Sequence, residues 1–118
     1  MTAASVLLVD DRRDNLVALE AILEPLGQRL VPAHSGEEAL RKLLKHDFAV
    51  VLLDVQMPGM DGPSFARELR MALRRVPLVI LTAVADPRRE ADRCNAEAYL
   101  SKPFDAEELV SVVRRFAA

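Results

Sequence analysis

Short apolar runs and amphipathic segments alternate five times along the chain. The apolar runs, rich in Val and Leu, cover residues 5–9, 28–33, 48–53, 78–81 and 98–100. Residues 48–53 form a continuous run that is too short to cross a membrane and is flanked by turn residues, which is typical of a strand buried on both faces. Residues 28–33 indicate only a weak strand. Between the runs, apolar residues recur at three- and four-residue steps, which is typical of amphipathic helices. The pattern predicts one α/β domain covering residues 1–118.

The predicted helices have recognisable ends. Pro25 cannot continue a helix, so the first helix should end near Glu24, with Gly27 free to adopt the left-handed cap conformation. Ser35 and Glu38 match a capping box, in which the Ser35 hydroxyl accepts from the amide of Glu38 and the Glu38 side chain accepts from the amide of Ser35. These signals predict a helix ending before residue 25 and another beginning at residue 35.

The apolar stripes of four helices are clear. They comprise Leu16, Leu19, Ile22, Leu23 and Leu26; Ala39, Leu40, Leu43 and Leu44; Phe65, Ala66, Leu69 and Leu73; and Leu109, Val112, Val113 and Phe116. Pro63 suits the first position of the third helix. The charged segment that Asp86 and Pro87 open has a poor stripe and is predicted to form only one or two helical turns through Arg93. Asp105 caps the last helix.

Alternation of strands and helices implies right-handed crossovers and a parallel sheet with helices on both faces. Pro32 cannot donate a ladder hydrogen bond, so the second strand should lie at an edge. Periodicity leaves two doubly wound strand orders open. Both place a ligand crevice at the carboxyl ends of the strands.

Polar residues follow the predicted strands at that edge. They are Asp10, Asp11, Asp54, Thr82 and Lys102. A lone aspartate after a strand often only caps the next turn, and this alternative applies to Asp54. Three converging carboxylates repel one another, however, by on the order of 4 kcal/mol for two charges about 4 Å apart at an effective dielectric near 20. One lysine cannot balance them, so these oxygen ligands predict a bound Mg²⁺.

A crevice with Mg²⁺, a lysine and a small hydroxyl around one carboxylate suits phosphoryl chemistry. Asp54 would be the nucleophile and form an aspartyl phosphate. Asp10 and Asp11 would hold the metal, while Lys102 and Thr82 would hold phosphoryl oxygens. Positioning and charge neutralisation carry most of the catalysis in such transfers, so no general base is needed.

Composition excludes several classes of function. The net charge is −2, with acids and bases mixed along all 118 residues, which argues against binding to nucleic acid or an anionic membrane. The single Cys94 permits neither an internal disulfide nor a thiolate zinc site, and its simplest role is packing. The N-terminus lacks a charged segment before its apolar residues, and no apolar run approaches 18 residues. A soluble cytoplasmic protein is predicted.

The chain resembles the receiver domain of two-component response regulators. The matching motifs, in order along nearly the whole chain, are Val9-Asp10-Asp11, Leu53-Asp54, Met57-Pro58-Gly59-Met60-Asp61-Gly62, Thr82-Ala83 and Tyr99-Leu100-Ser101-Lys102-Pro103-Phe104. The resemblance implies a flavodoxin-like sheet in the order 2-1-3-4-5 and a cis peptide before Pro103. It also implies that a phosphohistidine on a histidine kinase or phosphotransfer protein phosphorylates Asp54.

The resemblance further implies how the site is divided among its residues. Mg²⁺ would be bound by the side chains of Asp11 and Asp54 and by the backbone carbonyl of Gln56, with Asp10 acting mainly through water. On phosphorylation Thr82 would move toward the phosphoryl group and Tyr99 would swing inward. The surface formed by the fourth helix, fifth strand and fifth helix would then change shape for a downstream effector outside this chain.

Two departures and two alternatives accompany this interpretation. The span from Thr82 to Lys102 is one or two residues short for the family, which puts the fourth helix in doubt, and Asn95-Ala96 replaces a common Gly-Ala pair. One alternative is a small-molecule phosphatase with an aspartate nucleophile. Such enzymes usually carry a second acid where this chain has Gln56. The other alternative is a binding module of the same fold that never takes phosphate.

Overall fold

The structure of the protein is a computed structural model that describes residues 4–59, 61–73 and 75–117, with only the backbone of Leu73. Met60 and the Leu73 side chain, both part of predicted patterns, lie outside the described residues. The strands are β1 (Ser5–Val9), β2 (Arg29–Ala33), β3 (Val50–Asp54), β4 (Leu78–Thr82) and β5 (Ala98–Ser101). The helices are α1 (Arg13–Leu23), α2 (Gly36–Lys45), α3 (Gly62–Leu73), α4 (Pro87–Arg93) and α5 (Ala106–Ala117). The predicted alternation of strands and helices is confirmed.

The five strands form one parallel sheet in the order β2-β1-β3-β4-β5. This is the order implied by the resemblance and one of the two that periodicity left open. β2 is an edge strand, as Pro32 predicts, and Pro32 lies opposite Leu8 in the ladder. Asp54 pairs with Leu81, so the ends of β3 and β4 lie side by side.

Alternate residues of the sheet enter two separate apolar cores. One core packs the sheet against α2, α3 and α4, and the other packs it against α1 and α5. All five residues of β3 and of β4 are buried, because each of these strands is covered on both faces. Among the described residues, no helix combines the length and apolarity that crossing a bilayer requires.

Most of the predicted helix ends are confirmed. After α1 a single 3-10 turn, Glu24–Leu26, leads to Gly27, which has φ +73° and caps it through its amide. The Ser35 hydroxyl accepts from the amide of Glu38 at 3.1 Å, as predicted. The return bond of the capping box was predicted wrongly, because Glu38 Oε1 accepts from the amide of His34 at 3.2 Å and not from that of Ser35.

Two further predictions of detail are wrong. Leu44, assigned to the apolar face of α2, is 68% exposed because it lies at the margin of the stripe that Ala39 and Leu43 centre. Pro63 occupies the second position of α3 and not the first, since Gly62 already has helical conformation.

The doubtful fourth helix forms. α4 has seven residues, and Asp86 caps it by accepting from the amide of Arg89 at 3.1 Å. Asn95 ends the segment with φ +51°, the left-handed conformation that asparagine tolerates better than most residues. Cys94 is fully buried beside α3, where burial above all raises the pKa of its thiol to about 11, consistent with a packing role.

Candidate functional site

Three aspartates meet at the carboxyl edge of the sheet. Asp10 and Asp11 follow β1, and Asp54 is the last residue of the neighbouring strand β3. One carboxylate oxygen of each lies within 4.8 Å of the others. Asp10 and Asp54 are buried, whereas Asp11 is exposed at the rim. These three residues are called the acidic cluster below.

Asp10 is held by two donors. Its Oδ1 accepts from the amide of Arg12 at 2.9 Å, and its Oδ2 accepts from Asn15 Nδ2 at 3.1 Å. Burial raises the pKa of Asp10, and the negative charge of Asp54 raises it further against the lowering effect of both hydrogen bonds. At Asp10, burial and the neighbouring Asp54 charge thus both disfavour the ionised carboxylate.

The Asp54 carboxylate accepts a hydrogen bond within a turn and also forms an ion pair. Its Oδ1 accepts from the amide of Gln56 at 2.9 Å, so the carboxylate does cap the following turn, as the simpler alternative holds. The same oxygen lies 3.5 Å from Lys102 Nζ, and the Asp54 side chain is only 6% exposed. Asp54 therefore makes a structural hydrogen bond and also lies close to Asp10, Asp11 and Lys102.

Thr82 and Tyr99 lie on the same face of the sheet. Thr82 ends β4, is fully buried, and its Oγ1 accepts from the amide of Val84 at 3.2 Å. Tyr99 pairs with Ile80 in the β4–β5 ladder, two residues before Thr82, and is partly buried against the core under α4. Thr82 and Tyr99 thus share one face of the sheet, with Thr82 two positions along β4 from the residue that pairs with Tyr99.

Lys102 follows β5 and is tied to the same region. Its amide donates to the Thr82 carbonyl at 2.8 Å, and the Lys102–Pro103 peptide is cis, as the resemblance implies. All five polar residues expected at the carboxyl edge follow or end the strands there.

Three features of this region were not predicted. Asn15 was not singled out as a partner of Asp10, although its place one turn into the helix after Asp10-Asp11 was a usable signal. The amide of Arg12 binds Asp10 while its guanidinium pairs with Asp14 in solvent at 2.9 Å. The side chain of Gln56 accepts from the amide of Ala83 at 2.6 Å, and no local sequence pattern predicts this contact.

The donor set fits a hard cation. Carboxylate oxygens are the ligands that Mg²⁺ prefers, and three of them within 4.8 Å need positive charge beyond that of Lys102. The only thiol, Cys94, is buried beside α3 and is no part of the acidic cluster. The residues present at this edge therefore fit a hard divalent cation.

Comparison with known proteins agrees with this geometry. The family model described as response regulator receiver domain matches residues 6–114. Response regulator protein FleR of Pseudomonas aeruginosa is 40% identical over 98% of this chain, which spans 25% of FleR.

Two solved structures are similar over almost their whole length. The receiver domain of sensor histidine kinase PA1611 from Pseudomonas aeruginosa, with a magnesium ion coordinated in its active site cleft, is 32% identical with a TM-score of 0.87, covering 98% of each chain. Response regulator protein TrrA of Thermotoga maritima, in complex with Mg²⁺–BeF, is 30% identical with a TM-score of 0.84, covering 96% of this chain and 98% of TrrA. Sequence, fold and site geometry agree, and the chain belongs to the receiver domains of two-component signalling systems.

Proposed function

We propose that residues 1–118 form a receiver domain in which Asp54 accepts a phosphoryl group from a phosphohistidine. The observation that carries the proposal is the convergence of Asp10, Asp11 and Asp54 within 4.8 Å, with Lys102 Nζ 3.5 Å from Asp54. The donor would be a histidine kinase or a histidine phosphotransfer protein. The domain would act in the cytoplasm.

The acidic cluster would hold Mg²⁺. Asp11 and Asp54 would bind through their side chains and Gln56 through its backbone carbonyl. Asp10 would act mainly through water, because both of its oxygens already accept protein hydrogen bonds. When bound, the ion neutralises charge on the phosphoryl oxygens and on the carboxylates.

Different residues of this chain have different roles in the phosphoryl transfer. A bond forms between phosphorus and an Asp54 oxygen while the phosphorus–nitrogen bond of the donor breaks, and the electron pair returns to the donor imidazole. Lys102 offsets the added negative charge, and the Thr82 hydroxyl donates to a phosphoryl oxygen. The turn bond from the amide of Gln56 keeps the Asp54 carboxylate in place throughout.

The response would pass from Thr82 to Tyr99. To reach the phosphoryl group, the Thr82 hydroxyl moves toward Asp54, and Tyr99 on the same face of the sheet moves into the space it leaves. Phosphorylation thereby shifts the population between two shapes of the surface formed by α4, β5 and α5. An effector domain or partner protein would read that surface, and the domain would hydrolyse its own aspartyl phosphate.

Mass spectrometry of the intact protein tests the acceptor. After incubation with acetyl phosphate and Mg²⁺, the wild type should gain one phosphoryl group and Asp54→Asn should gain none. Asp47→Asn is the matched control, since Asp47 precedes β3 at the opposite edge of the sheet and is exposed. Phosphate on Asp54→Asn would defeat the assignment, and sustained turnover of p-nitrophenyl phosphate would favour the phosphatase alternative.

A further inference from the structure

One side chain bridges the two loops that flank the site. Gln56 follows β3, Ala83 follows β4, and Gln56 Oε1 accepts from the amide of Ala83 at 2.6 Å across a separation of 27 residues. Both residues are exposed at the carboxyl edge of the sheet. The bond therefore joins the loop after the phosphorylation site to the segment that begins with Thr82.

We propose that Gln56 is a positioning residue whose side chain holds residues 82–84 in the unphosphorylated arrangement and releases them on phosphorylation. This inference rests on the proposed function and deepens it, because it names a restraint that sets how readily the same site switches.

The bridge is anchored at both ends. The amide of Gln56 donates to Asp54 Oδ1 at 2.9 Å, so the residue that carries the bridge is tied to the acceptor carboxylate itself. At the other end a backbone N–H can only donate, so it must meet the carboxamide oxygen and not its NH₂ group. The orientation of the Gln56 side chain is therefore determined by Ala83.

The segment bound by Gln56, residues 82–84, has a hydrogen bond of its own. Thr82 Oγ1 accepts from the amide of Val84 at 3.2 Å, so residues 82–84 form a compact turn with the hydroxyl oxygen engaged. The Gln56 bond fixes the middle residue of this turn to the neighbouring loop. Movement of Thr82 toward Asp54 shifts Ala83 as well, because consecutive Cα atoms are joined at about 3.8 Å.

Phosphorylation supplies a stronger competitor for the Ala83 amide. A phosphoryl group brings about −1.5 to −2 charges and three strong acceptor oxygens. Hydrogen bonds to charged acceptors are roughly twice as strong as those to a neutral carboxamide. The Gln56 bond thus belongs to one state only, and a contact present in one state favours that state.

Removing the acceptor while keeping the volume tests the restraint. Gln56→Met replaces the carboxamide by an apolar chain of similar length, and Gln56→Glu retains an acceptor oxygen. Gln28→Met is the matched control, since Gln28 Nε2 also makes a side chain–backbone bond, to the Ala117 carbonyl at 2.5 Å, far from the site.

Two measurements give separate readouts. In Mg²⁺-free protein, hydrogen exchange at the Ala83 amide should become roughly 2- to 10-fold faster in Gln56→Met, the range expected for one net hydrogen bond, and should stay slow in Gln56→Glu and Gln28→Met. At saturating Mg²⁺, beryllofluoride should bind Gln56→Met about 2- to 10-fold more tightly than it binds Gln28→Met or the wild type.

The outcomes distinguish this inference from the proposed function. Unchanged exchange at Ala83 in Gln56→Met overturns the restraint, as does unchanged or weaker beryllofluoride binding by that variant. A wild type that binds no beryllofluoride and gains no phosphate overturns the proposed function instead, whatever the exchange at Ala83 shows.

Discussion

Asp11→Asn should raise the stability of the protein without Mg²⁺ and lower it, relative to the wild type, when Mg²⁺ is added. Asparagine matches the shape of aspartate but removes one negative charge from the acidic cluster. Without the ion, the loss of repulsion should make the variant more stable than the wild type. With saturating Mg²⁺ the wild type should be the more stable protein, because the variant has lost a charged ligand.

The size of the first effect follows from the distances. Two unit charges at the 4.8 Å limit of the cluster repel by roughly 3.5 kcal/mol at a dielectric of 20 and roughly 0.9 kcal/mol at 80. Asp11 is exposed, so the lower figure applies to each of its two neighbours. The variant should gain about 1 to 2 kcal/mol in free energy of unfolding, or roughly 4 to 8 °C in Tm for a domain of this size.

The second effect follows from mass action. An ion that binds only the folded state adds about 2.7 kcal/mol when its free concentration is 100 times Kd. The wild type should show this gain, and Asp11→Asn should show much less of it at the same concentration. The gain of the wild type exceeds the advantage of the variant, so the order of stabilities inverts.

Thermal unfolding followed by circular dichroism, in EDTA and across a Mg²⁺ titration, measures both effects. Asp47→Asn removes an exposed charge at the opposite edge of the sheet and should follow the wild type in both buffers. An Asp11→Asn variant that is no more stable than the wild type in EDTA would refute the repulsion within the acidic cluster. A variant that keeps the full Mg²⁺ gain would refute the role of Asp11 as a ligand.

Two other measurements probe the same structure. Because the charge of Asp54 adds to burial in raising the pKa of Asp10, Asp54→Asn should lower that pKa in Mg²⁺-free NMR titrations, and an unchanged or higher value would contradict the coupling. In the wild type, the raised pKa means that Asp10 disfavours folding at neutral pH and that this penalty is relieved as the pH falls through the raised value. Gly62→Ala would place a Cβ 3.0 Å from Cys94 Sγ and should cost about 1 to 3 kcal/mol in urea unfolding. Cys94→Ala in the same chain should recover part of this cost, whereas strictly additive losses would argue against the contact.

Local signals carried most of the secondary structure. Gly27 and Ser35 mark helix ends because a left-handed cap and a side-chain cap depend on residues adjacent in sequence. The prediction that Leu44 is buried was wrong because burial depends on contacts that are distant in sequence. The helical stripe marks a face but not how far the neighbouring elements cover it, and at Leu44 that cover ends.

The residues of the candidate site could be predicted from the sequence, but the hydrogen bonds between them could not. Asp10, Asp54 and Lys102 could be placed at one edge because parallel strands end together. The Asn15 bond to Asp10 and the raised pKa of Asp10 required the distances and burial of the folded chain.

The sequence by itself determined an alternating α/β domain and the residues that follow its strands, because hydrophobic periodicity and turn chemistry act over a few neighbours. Tertiary structure alone decided the spacing of the acidic cluster and the bridge from Gln56 to Ala83. The physical reason is that both depend on strands distant in sequence pairing in a definite register, and their atoms meet only when the sheet is assembled.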